Sequence, residues 1–296
     1  MKKFIKNNWL IIIILLLVIL FISKPTIEFI KNHPDLEITS KHEVEYCKKF
    51  IKTDFSEFTQ NYCKKVIKAG VVKVDFYTML TSLLFDIYIL SGMAFFIIVI
   101  PTLVPLVKIL KTNHIEYYLT RDSYKNFIKK FLKVSYRYVW VLPFIATLIM
   151  FLCVHFTSTG YKYSLLYGTG MWETDLIKHP YIFIFLYIFN TFIHSFTYIN
   201  ISLLAIRKVH TYIKGLILSS ILFISIELFL EIVVTYISKT HNATLFNIMD
   251  IYSFNINVGL IKYFAVSITM LLLSFISIYF AYRNKEKLVL DCEKNK

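Results

Sequence analysis

Six long apolar runs divide the chain, at roughly residues 9–23, 87–107, 138–157, 181–205, 215–237 and 260–282, with polar loops between them. A hydrocarbon core of about 30 Å takes about 20 helical residues, and every backbone N–H and C=O inside it must be paired within the helix. Each run therefore predicts a transmembrane α-helix. The expected fold class is all-α, a polytopic membrane protein with six transmembrane helices. The first run is short and follows a lysine-rich start, as a secretory signal would. The stretch "VILFISKPT" that closes it offers no small-x-small cleavage site, so an uncleaved N-terminal anchor over residues 1–23 is expected.

The loops orient the bundle. Between the second and third runs, residues 108–137 carry Lys108, Lys111, Arg121, Lys125, Lys129, Lys130, Lys133 and Arg137 against Glu116 and Asp122 alone. Positive charge marks cytoplasmic loops. Counting spans from this loop places both termini inside, and "MKKFIKNN", "RKVH" with Lys214, and the tail beginning "YRNKEK" are basic as that model requires. Loops 158–180 and 238–259 are nearly lysine-free. Composition changes the picture only by agreeing with it: the chain is 57% hydrophobic with mean hydropathy +0.60, against 45–50% apolar for an average soluble domain. The net charge of +14 sits largely in loops beside apolar runs. It is expected to face anionic lipid, and no nucleic acid is expected as a partner.

Residues 24–86 form a segment too long to be a simple connection. A helical extracytoplasmic insertion between spans one and two is expected there, ending in an interfacial lead-in helix that precedes the five-span domain 87–296. Asp86 would lie near the outer headgroups, and Gly92, Pro101 and Pro105 allow bends in the crossing that follows. The insertion holds a near-repeat, Tyr46-Cys47-Lys48-Lys49-Phe50-Ile51-Lys52 and Tyr62-Cys63-Lys64-Lys65-Val66-Ile67-Lys68. An oxidising compartment permits a Cys47–Cys63 disulfide, while two unpaired thiols on similar amphipathic turns are the simpler reading and the spacing does not decide between them. Cys153 and Cys292 are expected to be free.

Ionisable residues at membrane depth are rare and face a protein interior or a water-filled cavity. Glu227 and Glu231 stand four apart on one helix face, as do Asn190 and His194 in span four. If the faces meet, they make a polar cluster in the outer half of the bundle. Interhelical hydrogen bonding is the simplest role for it. A cargo path, a proton or metal site, or an intramembrane peptidase using Glu227, Glu231 and His194 are the functional alternatives. No metal site is assigned, and conventional catalytic motifs are missing: there is no GxxxxGK[ST], HExxH, CxxC or GxSxG. No catalytic residue is assigned, so any ATP-driven work needs a nucleotide-binding partner.

One loop points to such a partner. In "KTNHIEYYLTRDSYKNFIKKFLKVSYR", Ile115 and Leu119, then Tyr124, Phe127, Ile128 and Phe131, recur at helical spacing around a break at residues 120–123. Asp122 or Ser123 can cap the second helix, which leads into span three. A basic helix lying on anionic lipid would have the same pattern. The stretch "IEYYLTRDSYKNFIKKF" resembles the coupling loop of type-2 ABC exporter permeases, a "hE-x-hLxxRxSxxxah" pattern in which Glu116, Leu119, Arg121, Ser123 and Phe127 take the recognisable places, with Asp122 and Tyr124 between them. The six-span plan, the large first outer loop, the short second inner loop and the stretch "HNATLFNIMDIYSFNIN" before the last span are similar to that family as well. A first outer loop with two cysteines is not a general family feature, which implies a specialised subgroup.

The resemblance implies a permease subunit whose loop 112–131 fits a cleft on separate ABC ATPase subunits, with a second permease copy or a related permease completing the path. ATP and Mg would be held by the ATPase, and the permease itself would be no enzyme. Peptides, antimicrobials or lipid-like molecules are the cargoes of similar systems, and resistance to a membrane-active peptide fits the outer loop. A membrane sensor or immunity protein working without an ATPase is the further alternative. A multi-pass protein of a bacterial cell membrane is expected, and richness in Ile, Lys, Asn, Phe and Tyr points to a low-GC source.

Overall fold

The computed structural model describes residues 2–50, 57–69, 71, 76, 79–80, 83, 88–111, 123–157, 179–209, 211–238 and 260–284. Among these the regular structure is entirely helical: α1 (Lys2–Phe50), α2 (Glu57–Ala69), α3 (Tyr88–Lys111), α4 (Tyr124–Ser135), a 3₁₀ turn (Tyr136–Tyr138), α5 (Val141–His155), α6 (Pro180–Lys208), α7 (Tyr212–Ser238) and α8 (Leu260–Tyr282). Six stretches are long and apolar enough to cross a membrane: Trp9–Lys49, Met93–Leu110, Tyr124–His155, Tyr181–Lys208, Tyr212–Phe229 and Phe264–Tyr282. Each of the six apolar runs falls on one of them, so the described structure is all-helical with six helices long and apolar enough to cross a membrane. Large apolar side chains are exposed along these helices, among them Leu16, Leu17 and Leu20 on α1 and Leu272, Leu273, Ile276 and Phe280 on α8. Water would penalise such a surface, whereas hydrocarbon solvates it.

Two helices run further than hydropathy alone predicts. α1 does not stop near residue 23 but continues to Phe50, so the helix takes in Pro25 and Pro34. Pro25 lacks an N–H and leaves the carbonyl one turn back without its helical donor. The hydroxyls beside it turn back on the helix, Ser23 Oγ donating to the Leu20 carbonyl and Thr26 Oγ1 to the Ile22 carbonyl, both at 2.8 Å. The third span also gains length at its start, because α4 runs through the 3₁₀ turn into α5. Of the lead-in to α3, Phe76, Met79, Leu80 and Leu83 are helical and fully buried, at the i, i+3, i+4, i+7 spacing of one helix face. Asp86 lies outside the described residues.

The chain divides into two compact units. One comprises residues 16–88 and 147–185. Within it, α2 packs a short core of Cys63 and Val66 on Val44 and Cys47 of α1, with Ile67 alongside. Cys47 and Cys63 form a disulfide with Cα atoms 5.0 Å apart, and Tyr62 Oη donates to Glu43 Oε1. The two Tyr-Cys-Lys-Lys copies thus lie on neighbouring helices, joined through their cysteines, with Tyr46, Lys48, Tyr62 and Lys64 exposed. Phe76 meets Phe183 edge to face at 6.4 Å in the same unit.

The other unit comprises residues 1–15, 89–146 and 186–296 and contains α3, α4, α7, α8 and most of α6. Phe95 of α3 stacks on Phe223 of α7 at 4.3 Å, and both meet Tyr198 of α6 edge to face at 5.3 Å. Serines and threonines in these helices bond their own backbone one turn back: Thr102 to Ile98, Ser195 to Thr191, Ser202 to Tyr198 and Ser219 to Gly215. A hydroxyl satisfied in this way tolerates an apolar surrounding. Gly215 lets α7 approach closely. A Cβ there would lie 3.3 Å from Ile206 Cδ1 and 3.8 Å from Leu103 Cδ2.

The disulfide closes a loop across 16 positions, and constraining the unfolded chain over such a loop is worth about 3 kcal/mol. Cys47→Ser, Cys63→Ser and reduced wild type are each expected to unfold the α1–α2 unit at lower temperature than oxidised wild type, by matching amounts. Protease resistance on heating checks this, and three melts identical to oxidised wild type would show that the bond supports nothing.

Candidate functional site

Ser123 begins α4 because it can do what a helix N-terminus needs. Its backbone is extended (φ −69°, ψ 148°), its Oγ accepts from the Asn126 N–H at 3.4 Å, and its carbonyl accepts from Phe127 N at 3.0 Å. Of the two caps the sequence allows, Ser123 is the one used. The helix then alternates faces. Phe127, Phe131 and Ser135 recur every fourth residue and are buried, while Lys125, Lys129, Lys130 and Lys133 are exposed.

Tyr282, at the end of α8, receives the buried face. Phe127 stacks on Phe131 at 6.0 Å, Phe131 lies 5.5 Å from the Tyr282 ring, and Tyr124 Oη donates to the Tyr282 carbonyl at 2.6 Å. Tyr282 Oη donates in turn to the Leu203 carbonyl of α6 at 2.7 Å, and the Arg207 guanidinium stands over the Tyr282 ring at 5.8 Å. One residue, through its ring, hydroxyl and carbonyl, therefore ties α4 to the ends of both α6 and α8.

Two turns further on, a polar relay makes a second tie. Tyr136 Oη donates to Asn200 Oδ1 at 2.6 Å, Asn200 Nδ2 donates to Ser274 Oγ at 2.8 Å, and Ser274 Oγ donates to the Leu271 carbonyl at 2.7 Å. Asn200 is fully buried, and the Phe196 and Phe275 rings flank Tyr136 at 5.4 and 6.2 Å. Asn200, Tyr136 and Ser274 belong to no motif in the sequence. An asparagine in an apolar run is a signal, because its amide cannot satisfy itself on its own helix as a serine can, yet nothing in one sequence names its partners.

His194 and Glu227 come together, lining one cavity with Thr197, Tyr198, Ile201, Phe223, Ile226, Val266, Ser267 and Met270. Both are buried, at 7% and 6% exposure. The cavity measures about 20 Å³, room for about one water-sized group and far too small for a peptide or a cargo molecule. The Ser267 hydroxyl has no hydrogen-bond partner among the described residues. Asn190 is fully buried one turn before His194. Glu231 lies on α7, one turn after Glu227, and its side chain is outside the described residues. So are Glu116, Leu119, Arg121 and Asp122. Among the described residues no three His, Cys, Asp or Glu side chains gather as metal ligands would.

Several basic residues of this unit collect at one end, while Lys262 lies near the start of α8 at the other. Phe95, Tyr198 and Phe223 touch and so share a level. At a helical rise of 1.5 Å, Lys108, Lys208 and Lys214 lie about 20, 15 and 14 Å from that level, toward the end where Arg207 and Tyr282 meet. The chain matches no family model, no curated protein and no solved structure.

Removing one partner of a buried hydrogen bond strands the other, at a cost of about 1–3 kcal/mol. Tyr136→Phe and Asn200→Leu are each expected to lower the unfolding midpoint in detergent or lipid. The double variant should cost less than the two together, because both act on one network. Fully additive losses would show that the relay is not a unit.

Proposed function

We propose that the chain is the membrane-spanning permease subunit of an ATP-driven ABC exporter, a multi-pass protein of a bacterial cell membrane with both termini inside and residues 24–86 outside. The observation that supports the reading best is the attachment of α4. The segment from Glu116 to Phe127 resembles a coupling loop, and its second helix is capped at Ser123 and clamped through Phe131 and Tyr124 to Tyr282. A push on such a loop by a closing ATPase would pass directly into α6 and α8 and tilt them together. The gathering of basic residues at that end supports placing it in the cytoplasm. ATP and Mg would bind the ATPase, and a second permease, identical or related, would complete the path. Peptides, antimicrobials and lipid-like molecules are the proposed cargo classes, with export conferring resistance.

The meeting of His194 and Glu227 in one cavity favours a second reading, an intramembrane peptidase. The two readings separate cleanly. On the peptidase reading Glu227→Gln abolishes cleavage and leaves any assembly intact; on the permease reading no cleavage exists to abolish.

For the permease, Glu116→Lys and Arg121→Glu are each expected to strip the ATPase from protein purified in mild detergent, while the amount of permease in the membrane stays within about twofold of wild type. Mass spectrometry of the copurified chains reads the result. Both variants retaining a Walker-motif subunit in wild-type proportion would overturn the coupling assignment.

A further inference from the structure

Four cations form a continuous ridge on α4 and the turn after it. Lys125, Lys129, Lys133 and Arg137 are spaced four apart and all exposed, so the ridge runs about 18 Å along the axis. Among the described residues no side chain of the four forms an ion pair or hydrogen bond, although the Arg137 charge acts on Tyr138 beside it. The buried ridge of Phe127 and Phe131 lies two residues on from Lys125 and Lys129, about 200° round the helix. The cations therefore point away from the bundle.

They point sideways and not off its end, which follows from the partners of the segment that carries them. From Tyr124 to Trp140 those partners climb steadily, from the Tyr282 carbonyl to Asn200 with Phe275, and then to Phe192. The segment lies along the flank of α6 and α8, antiparallel to both. The same flank continues beyond Arg137 with Trp140, 68% exposed, and then Phe144, also exposed. The order along it is cations, an indole, then bare apolar surface. A protein surface in a bilayer shows this order as it passes from phosphate depth through the interface into hydrocarbon. Lysine and arginine stems are long enough to lie along apolar surface while their charges reach the phosphates.

We propose that this ridge binds the phosphodiester headgroups of anionic phospholipids in the leaflet at the basic end of the bundle. The position of the cations selects a lipid over a soluble acidic partner, because they lie beside α8 where its exposed apolar surface begins and are followed by an exposed indole. Binding fixes the flank of α4 to the headgroups whether or not an ATPase docks on the loop before it. The inference thus stands apart from the permease reading.

The test uses the full chain purified in mild detergent, mixed with equal phosphatidylglycerol and phosphatidylcholine and analysed by native mass spectrometry for bound lipid. Wild type is expected to retain phosphatidylglycerol preferentially. Each surface cation lost should weaken that preference by up to about fivefold, so the triple variant Lys129→Gln, Lys133→Gln, Arg137→Gln should lose about tenfold or more. Two controls keep the result readable. Lys129→Arg with Lys133→Arg should preserve the preference, and Lys41→Gln with Lys48→Gln, exposed lysines of the other unit, should leave it intact. If the triple variant fails to purify, the single Lys129→Gln variant carries the comparison. Equal retention of the two lipids by wild type, or an undiminished preference in the variants, overturns the proposal. So does loss of a copurifying acidic protein from the triple variant with lipid retention unchanged.

Discussion

An amide buried among hydrocarbon side chains has to be satisfied by another chain segment, and the packing of the larger unit depends on how Asn200 meets that demand. Its carbonyl oxygen takes the Tyr136 hydroxyl and its NH₂ reaches Ser274, so three segments can cross at one depth and in one rotation only. Individual hydrogen bonds of this kind are worth only about 0.6–1.7 kcal/mol in a bilayer. Their larger effect is to exclude other registers. A slip of one residue on any of the three helices leaves a polar group stranded, whereas Leu and Ile packing alone tolerates many slips.

Around that fixed point the other contacts acquire direction. Tyr282 works as a second pin one to two turns away, joining α4, α6 and α8 through its ring, its hydroxyl and its carbonyl. Two pins, one on α4 and one on the 3₁₀ turn after it, make α4 a rigid continuation of the span it precedes. A force on Ser123 or a grip on Lys129 acts on the bundle as a whole. Of the aromatic trio Phe95, Tyr198 and Phe223, Tyr198 and Phe223 also wall the cavity of His194 and Glu227. Space there stays limited to about one water-sized group, which suits an interior polar contact better than a passage in this conformation.

Hydropathy makes the six spans legible because crossing hydrocarbon demands length and apolarity, both of which are written in consecutive residues. The N-cap is legible for a similar reason: Ser123 and the helix it starts lie within three positions of each other. The face shared by His194 and Asn190 is legible from four-residue spacing, and α6 buries both residues. What opposes that face is set by interhelical rotation, which spacing within one helix does not encode. The extension of α1 beyond residue 23 escapes hydropathy because residues 24–50 are polar enough to leave the apolar window yet still helical, with prolines that ordinarily end a helix. Tyr136, Asn200 and Ser274 lie 64 and 74 positions apart. Each is unremarkable alone, and their conjunction exists only in the folded chain.

The Cys47–Cys63 bond gives the proposed topology a chronology. Thiols on the cytoplasmic side are held reduced, so on that topology the bond forms only after the segment carrying both cysteines has left the ribosome's side of the membrane. The α1–α2 pairing would then be sealed late, once insertion has already chosen an orientation. A chain inserted the wrong way round would keep two free thiols, and each molecule would carry a covalent record of the side its second helix reached.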